Sequence, residues 1–433
     1  MFDALLRTEI VGGPVFVSVV GLAVAGAAFL LLRRPTRVWI ATVAVAIGVG
    51  LASAVAAWFV TVRMLNLFGR SLGLGNYLLA AATLCAICLA IVSLRRSRWW
   101  RKAIAVLCIP VFVVAGAVAI NANDGRSRTI GDLLALPTTQ PIRLAAGTTG
   151  FPAPGADLWR TWKPPADMLQ TGEVHMQEIP HPVSGFPSRP AGIYLPPAAL
   201  VANPPPLPLV VMMLGQPGSP TPAFAARVLD PFARTHRGLA PIVIVADQLG
   251  DPYHDPLCLD TPEYGNAETF LTNDLPAWAQ KHLHIIRDHR YWTVAGYSNG
   301  GECGLSLIVR HPGLFGNLID VSGEEYGGSD NPAIALQNVF HGDQAAYDRT
   351  KPATYLARNQ YPGVNAVFTA GSDDPVYWAA AQTIAHDAND AGMSVELHAV
   401  ANGKHDQAAF VSGMDAGFDV LFPVLGLAPP ATP

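Results

Sequence analysis

The sequence predicts four N-terminal transmembrane α-helices followed by one doubly wound, mostly parallel α/β domain. Three observations carry this expectation. Four apolar runs, each long enough to span a bilayer, crowd into the first 120 residues. Beyond residue 171, short apolar strands alternate with helical stretches. One of those strands runs into Gly296-Tyr297-Ser298-Asn299-Gly300 and is followed at once by helical apolar spacing.

The apolar runs cover 14–32, 38–62, 77–94 and 103–120. They explain why a chain of 433 residues is 51% hydrophobic and only 14% charged, too apolar for an ordinary soluble protein. Lysine and arginine set the orientation. The first loop carries Arg33, Arg34 and Arg37, and the third carries Arg95, Arg96, Arg98, Arg101 and Lys102. The second loop has only Arg63 and Arg70, and the N-terminal tail has Asp3, Arg7 and Glu9. Loops one and three therefore face the cytoplasm, and everything after Asn121 lies outside it. No carboxylate, lysine or histidine falls within the runs, which disfavours a transporter and leaves anchoring. The predicted organisation is a membrane domain over 1–120, an extracytoplasmic linker over 121–170 and a catalytic domain over 171–433.

In that last domain strands are expected at 173–179, 189–195, 207–214, 241–246, 291–295, 317–322, 366–370 and 395–400. Helices are expected from Thr221 for about fifteen residues, at 267–284, after Gly300, within 333–360, at 377–391 and at 407–421.

The Gly-x-Ser-x-Gly turn between a strand and a helix nominates Ser298 as a nucleophile. The glycines leave room for a tight turn, and the turn lifts the hydroxyl towards a helix N-terminus. Its partners should follow in the order acid, then histidine, on loops at the carboxyl ends of later strands. Gly371-Ser372-Asp373-Asp374 supplies the acid. Asp374 is preferred to Asp373 because it stands three residues past the glycine, although either could cap the next helix. Gly403-Lys404-His405 supplies the base, His405, after the last strand. The backbone N–H of Asn299 and that of Gln216, in the loop after 207–214, are the expected oxyanion donors. Cys258 and Cys303 are the only cysteines beyond the membrane domain. In an oxidising compartment they are expected to pair, two separate buried thiols being the alternative. No histidine cluster has metal-ligand spacing, so neither metal nor cofactor is expected. A net charge of −4 without a basic stripe excludes nucleic acid.

The LGQPGSP loop, Cys258-Leu-Asp-Thr-Pro, Asn273-Asp-Leu-Pro-Ala-Trp278, GYSNGG, GSDDP and GKHD together resemble the actinobacterial esterase D and mycolyltransferase-like branch of the α/β-hydrolases. The likeness covers about residues 170–425 and implies a serine esterase. Three features depart from it: Leu214 where a histidine is usual, an aspartate where mycolyltransferases use glutamate, and the four-helix anchor. Aminoacyl-phosphatidylglycerol hydrolases are similar membrane-anchored esterases.

A site held near a membrane surface favours a lipid ester. Acidic residues crowd the neighbouring loops, including Asp247, Asp251, Asp255, Asp260 and Glu263. With them Glu302, Glu324 and Glu325 are candidate substrate-binding residues for a cationic group such as an aminoacyl ammonium. Plain solubility is the competing reading. Acyl transfer among envelope lipids or sugars, and a non-catalytic membrane scaffold or receptor, are the alternatives to hydrolysis.

Overall fold

The computed structural model describes residues 13–64, 74–95, 97–124 and 157–430, with residues 8, 10, 11 and 130. The chain divides into two compact units, Met1–Thr138 and Thr139–Pro433.

The first unit contains α1 (Pro14–Leu31), α2 (Arg37–Trp58), α3 (Leu74–Ser93) and α4 (Trp99–Asp124). A π-helical turn, Phe59–Met64, continues α2. All four helices are long and apolar enough to cross a membrane. Their outward faces expose Leu22, Val24, Val38, Leu78 and Leu107, a surface suited to lipid rather than water. Small residues let the helices approach. A Cβ on Gly50 would sit 2.6 Å from the Cα of Cys85, and one on Gly116 would sit 2.3 Å from Thr83 Oγ1. Arg33 donates to the Ser93 carbonyl and Arg101 to the Phe29 carbonyl, each at 3.0 Å. These bonds bring the first and third loops to the same end of the bundle. Asp3, Arg7, Glu9, Arg70, Arg96 and the Arg63 side chain, all used above for orientation, lie outside the described residues.

The second unit begins its described part with α5 (Leu158–Thr161). Leu158 is buried in the core, the Trp159 N–H donates to the Gly426 carbonyl at 3.0 Å, and Trp162 Nε1 donates to the Arg237 carbonyl at 2.9 Å. Of the stretch expected as linker, residues 121–124 complete α4 and 157–170 belong to the second unit. The rest, apart from residue 130, lies outside the described residues.

The elements then follow as β1 (Glu173–Gln177), β2 (Ala191–Leu195), β3 (Leu209–Met213), α6 (Ala223–Thr235) and β4 (Ile242–Ala246). A two-residue hairpin of β5 (Asp260–Thr261) and β6 (Gly265–Asn266) precedes α7 (Leu275–His282). Next come β7 (Trp292–Tyr297), α8 (Asn299–Arg310), β8 (Asn317–Val321), α9 (Pro332–Asn338), α10 (Gln344–Thr350) and α11 (Pro352–Leu356). The chain closes with β9 (Asn365–Gly371), α12 (Pro375–Asp390), β10 (Ser394–Val400) and α13 (Gln407–Val424).

Eight strands form one sheet in the order β1-β2-β4-β3-β7-β8-β9-β10. β1 and β2 run antiparallel, and from β4 to β10 every pair is parallel. Strands β3, β4 and β8 are buried along their whole length, as the uninterrupted apolar sequences of β3 and β4 require of a sheet covered on both faces. Strand β3 has β4 on one side and β7 on the other, so the order reverses there. Loops at the carboxyl ends of strands beside such a switch point form a ready crevice.

One helical expectation is corrected, and the helical material expected within 333–360 is resolved into separate pieces. The stretch 267–284 is interrupted by a π-helical turn, Phe270–Asp274. The buried Asp274 carboxylate accepts from the N–H groups of Val183 and Ser184 and from Ser184 Oγ, at 3.1, 2.9 and 2.5 Å. That ties the turn to the segment before β2. The stretch 333–360 is three helices. His341 and Gly342 adopt φ of 50° and 87°, and Pro352 forces an extended residue before α11.

Candidate active site

Strand β7 delivers Ser298 into a turn that only this sequence pattern permits. A Cβ on Gly296 would lie 2.0 Å from the Gly300 carbonyl oxygen, and one on Gly300 would lie 2.3 Å from that of Met213. Ser298 itself has φ 56° and ψ −124°. Such a non-glycine conformation costs on the order of 1–3 kcal/mol and needs the surrounding structure to enforce it. Here the Ser298 N–H donates to the Val321 carbonyl at 3.0 Å, while β8 and α8 clamp the turn from both sides. The side chain stands at the N-terminus of α8, where the first N–H groups have no helical partner.

The loops after β9 and β10 meet through two glycines. A Cβ on Gly371 would sit 2.2 Å from the Gly403 carbonyl oxygen. The Asp373 N–H donates to the same carbonyl at 2.9 Å. This contact turns the Asp373 side chain outward and brings Asp374 inward. His405 Nε2 lies 2.9 Å from Ser298 Oγ, and His405 Nδ1 lies 3.2 Å from Asp374 Oδ2. The second is a close contact of opposite polarity whose geometry does not make a hydrogen bond. The His405 and Asp374 side chains are 10% and 11% exposed, so the line from carboxylate to hydroxyl is shielded but reachable.

The sequence reading missed the walls around His405. The Tyr377 ring stacks on the imidazole at 3.9 Å between centroids, and Tyr297 stacks at 4.9 Å. Tyr377 Oη is anchored on both carboxylate oxygens of Asp330, at 3.1 and 3.2 Å. Two aromatic faces restrict the ring to the plane that serves both Ser298 and Asp374. One signal was available, since Tyr377 lies three residues after Asp374 and so one helical turn along α12.

The loop after β3 runs against the nucleophile. A Cβ on Gly215 would be 3.1 Å from the Ser298 Cβ, so any larger residue would push the loop away. The Gln216 N–H donates to no acceptor among the described residues, and Gln216 Nε2 reaches the Pro252 carbonyl at 3.3 Å. Buried Gln248 joins this loop to the elbow. Its Nε2 donates to the Leu214 carbonyl at 2.5 Å and to Asn299 Oδ1 at 3.0 Å.

Of the acidic candidates, Glu302 is 1% and Glu324 5% exposed, whereas Glu325 is exposed. Burial pushes the Glu302 carboxyl up to about 8 and that of neighbouring Asp320 up to about 7. Glu324 is raised well above the carboxylate range by burial and by the charges of Asp330, Asp255 and Glu302. Because its folded pKa is raised, Glu302 contributes stability that is fully present below about pH 4.5 and is lost as pH rises through about 8. Glu302→Gln should flatten the fall in unfolding free energy between pH 5 and 9 by up to roughly 5 kcal/mol, at 1.36 kcal/mol per pKa unit. Denaturant melts across that range check this, and parallel curves for the two proteins would refute it.

Cys258 and Cys303, at a sequence separation of 45, are joined by a disulfide with Cα atoms 5.2 Å apart. It ties the loop after β4 to α8, directly beside Glu302. For a loop of this length, chain entropy gives about 4 kcal/mol of stabilisation. The Cys258→Ser/Cys303→Ser protein should lose a stability of that order in denaturant melts, and an unchanged midpoint would contradict it. Among the described residues no group of histidine, cysteine and carboxylate side chains is arranged to hold a metal ion.

Together these groups can perform acyl transfer from an ester: a hydroxyl on a strained turn, an imidazole in contact with it, a carboxylate behind the imidazole, and free N–H groups alongside. The family comparison agrees with that chemistry. The family described as "Putative esterase" matches residues 188–419, more than half of the chain. An uncharacterized protein of Corynebacterium glutamicum is 33% identical over 230 residues, which are 51% of this chain and 54% of that protein. The chain thus spans about half the length of the curated relative it matches. A ferulic acid esterase has a TM-score of 0.50 at 17% identity, covering 59% of this chain and 99% of its own. An S-formylglutathione hydrolase from Agrobacterium tumefaciens has a TM-score of 0.47 at 16% identity, covering 60% and 98%. The first of these likenesses is one of fold. With the family match over most of the second unit, the chain belongs to the esterase family, and that unit has an α/β-hydrolase fold.

Proposed function

We propose that the protein is a membrane-anchored serine esterase that works outside the cytoplasm on a lipid ester, through a Ser298-His405-Asp374 triad. The observation that carries this reading is the continuous contact from Asp374 Oδ2 through both nitrogens of His405 to Ser298 Oγ. His405 Nε2 takes the proton as Ser298 Oγ attacks the ester carbonyl. The N–H groups of Asn299 and Gln216 receive the developing oxyanion. The tetrahedral intermediate collapses, His405 returns the proton to the leaving alkoxide, and an acyl-serine remains. Water, deprotonated by His405, then releases the acid and restores Ser298. Asp374 holds the imidazole tautomer and stabilises the imidazolium.

The anchor and the acidic surroundings narrow the substrate to an aminoacylated phospholipid, alanyl- or lysyl-phosphatidylglycerol. The four apolar helices support a lipid-side location, and the lysine and arginine bias of the loops supports an outward catalytic domain. The test presents the purified protein with alanyl- and lysyl-phosphatidylglycerol, neutral acyl esters and a sugar acceptor. Free alanine or lysine should be released, together with phosphatidylglycerol. Release of no amino acid would sink the aminoacyl-lipid reading. Acyl groups passed to the sugar instead would move the assignment to a mycolyltransferase-like acyltransferase.

A further inference from the structure

Two buried polar residues stand side by side directly after β4. Asp247 is 1% and Gln248 3% exposed, so each must find its hydrogen-bond partners inside the protein. Both reach the segments that carry the oxyanion donors. Gln248 Nε2 places one N–H on the Leu214 carbonyl, at 2.5 Å, and the other on Asn299 Oδ1, at 3.0 Å. The first acceptor opens the loop after β3, and the second belongs to the residue whose own N–H is the other donor. Asp247 acts through Arg189. Arg189 Nη2 donates to Asp247 Oδ1 at 2.6 Å and to the Gly218 carbonyl, at the far end of the same loop, at 3.0 Å.

The sheet explains why Arg189 is there. Strands β2 and β4 are antiparallel, with Gly192 opposite Val245. Carrying that register on sets Arg189 beside Asp247 and Gln248. Asp247 does not need the guanidinium to satisfy its oxygens. The N–H groups of Arg189, Leu249 and Gly250 already donate to them, at 2.7, 3.3 and 3.2 Å. What the guanidinium adds is the bond to Gly218, which an ion pair that only joined β2 to β4 would not make.

Between these two fastenings the loop closes on itself. The Gly218 N–H donates to the Gly215 carbonyl at 2.7 Å, in a turn so tight that a Cβ on Gly218 would lie 2.5 Å from that oxygen. The Gly215–Gln216 peptide is planar and trans, so its N–H points opposite to its carbonyl. With that carbonyl directed into the turn, the Gln216 N–H is directed out of it. Gly215 is also the residue that packs on the Ser298 Cβ.

We infer that Gln248, Arg189 and Asp247 are positioning residues of the oxyanion hole, which suspend the Gln216 loop at both ends and, through Asn299, tie it to the elbow. None of them is required to touch the reacting atoms. This assignment rests on the triad reading above and deepens it by naming what aims its two N–H donors. A misplacement of about 1 Å can cost about 10²-fold in rate, so the aim of a donor matters as much as its presence.

The test combines turnover of p-nitrophenyl butyrate with binding of hexyl trifluoromethyl ketone, on the full-length protein in detergent. Ser298 Oγ adds to the ketone carbon, its proton passes to His405, and the carbonyl π electrons move to the oxygen. The adduct is tetrahedral and carries an oxyanion, so its affinity reports on the donors directly. Gln248→Met keeps the length of the side chain and removes both N–H groups. It should lower kcat/KM by about 10²-fold and weaken the ketone by a similar factor. Arg189→Met, which frees one end of the loop only, should lower both by about tenfold. In each variant the pH profile of kcat/KM should keep its wild-type midpoint, because His405 is untouched. Turnover that falls while ketone affinity holds, or a displaced pH profile, would overturn the assignment, since either places the damage outside the donors. Unchanged turnover in both variants overturns it as well. The Arg189 side chain is 22% exposed, so Arg189→Met carries the test if Gln248→Met does not fold. Hydrolysis that survives Ser298→Ala fails the triad reading and this assignment together. Hydrolysis that is lost there but indifferent to positions 189 and 248 fails this assignment alone.

Discussion

Ser298→Ala should lower kcat for any ester by about 10⁶-fold, because the nucleophile and its base act as one unit. His405→Ala should cost about as much, and the double variant little more than either alone. The structural reason is the single 2.9 Å contact between His405 Nε2 and Ser298 Oγ. Removing the imidazole leaves a hydroxyl of ordinary acidity, and removing the hydroxyl leaves an imidazole with nothing to activate. Initial-rate kinetics on a soluble ester, with circular dichroism to verify folding, measure this. A Ser298→Ala protein that retained a tenth of its activity would place the nucleophile elsewhere.

Asp374→Asn should lower kcat by about 10⁴-fold while leaving KM close to wild type. An amide at this position keeps the shape but presents the wrong partner to His405 Nδ1, favouring a tautomer that cannot accept the serine proton. Asp373→Asn should stay within a few-fold of wild type, because the Asp373 side chain is exposed and its N–H is bound to the Gly403 carbonyl. The contrast is sharper than either number. Loss of activity in Asp373→Asn with Asp374→Asn near normal would reverse the assignment of the acid.

The strands that surround the site were legible because the sheet is covered on both faces. Leu209–Met213 and Ile242–Ala246 are uninterrupted apolar runs, which leaves little choice but a central parallel strand. The elbow was legible because Gly296 and Gly300 are demanded by contacts within a few residues of the serine or on the adjoining strand. The acid and base were found from chain order. The glycine-to-glycine approach of residues 371 and 403, which turns Asp374 rather than Asp373 inward, is a contact across about thirty residues and leaves no periodic trace.

Long-range side-chain contacts are also why Tyr297, Tyr377, Gln248 and Asp330 went unread. Each acts through a ring face, an amide or a carboxylate that reaches another loop, and Tyr297 occupies a motif position that any residue may fill. Glu302, Glu324 and Glu325 were read together as candidate substrate-binding residues, and nothing local in the sequence separates the three. What distinguishes Glu302 and Glu324 is burial, the first on the elbow helix and the second within the loop after β8. Glu325, adjacent in sequence, is exposed. The helix over 267–284 was read as continuous because the turn pinned by Asp274 leaves no local trace, and the breaks within 333–360 come from the positive φ at His341 and Gly342 and the extended residue before Pro352. Trp159 and Trp162 dock before the first strand through hydrogen bonds to residues 426 and 237, again beyond the reach of local pattern.

The central claim is that Ser298 is an activated nucleophile, and a fluorophosphonate probe followed by peptide mass spectrometry tests it most directly. The account predicts one adduct per chain on Ser298, absent from Ser298→Ala and slowed by orders of magnitude in His405→Ala. A folded wild-type protein that takes up no probe, or carries it on another residue, would contradict the triad and favour a scaffold built on a hydrolase fold.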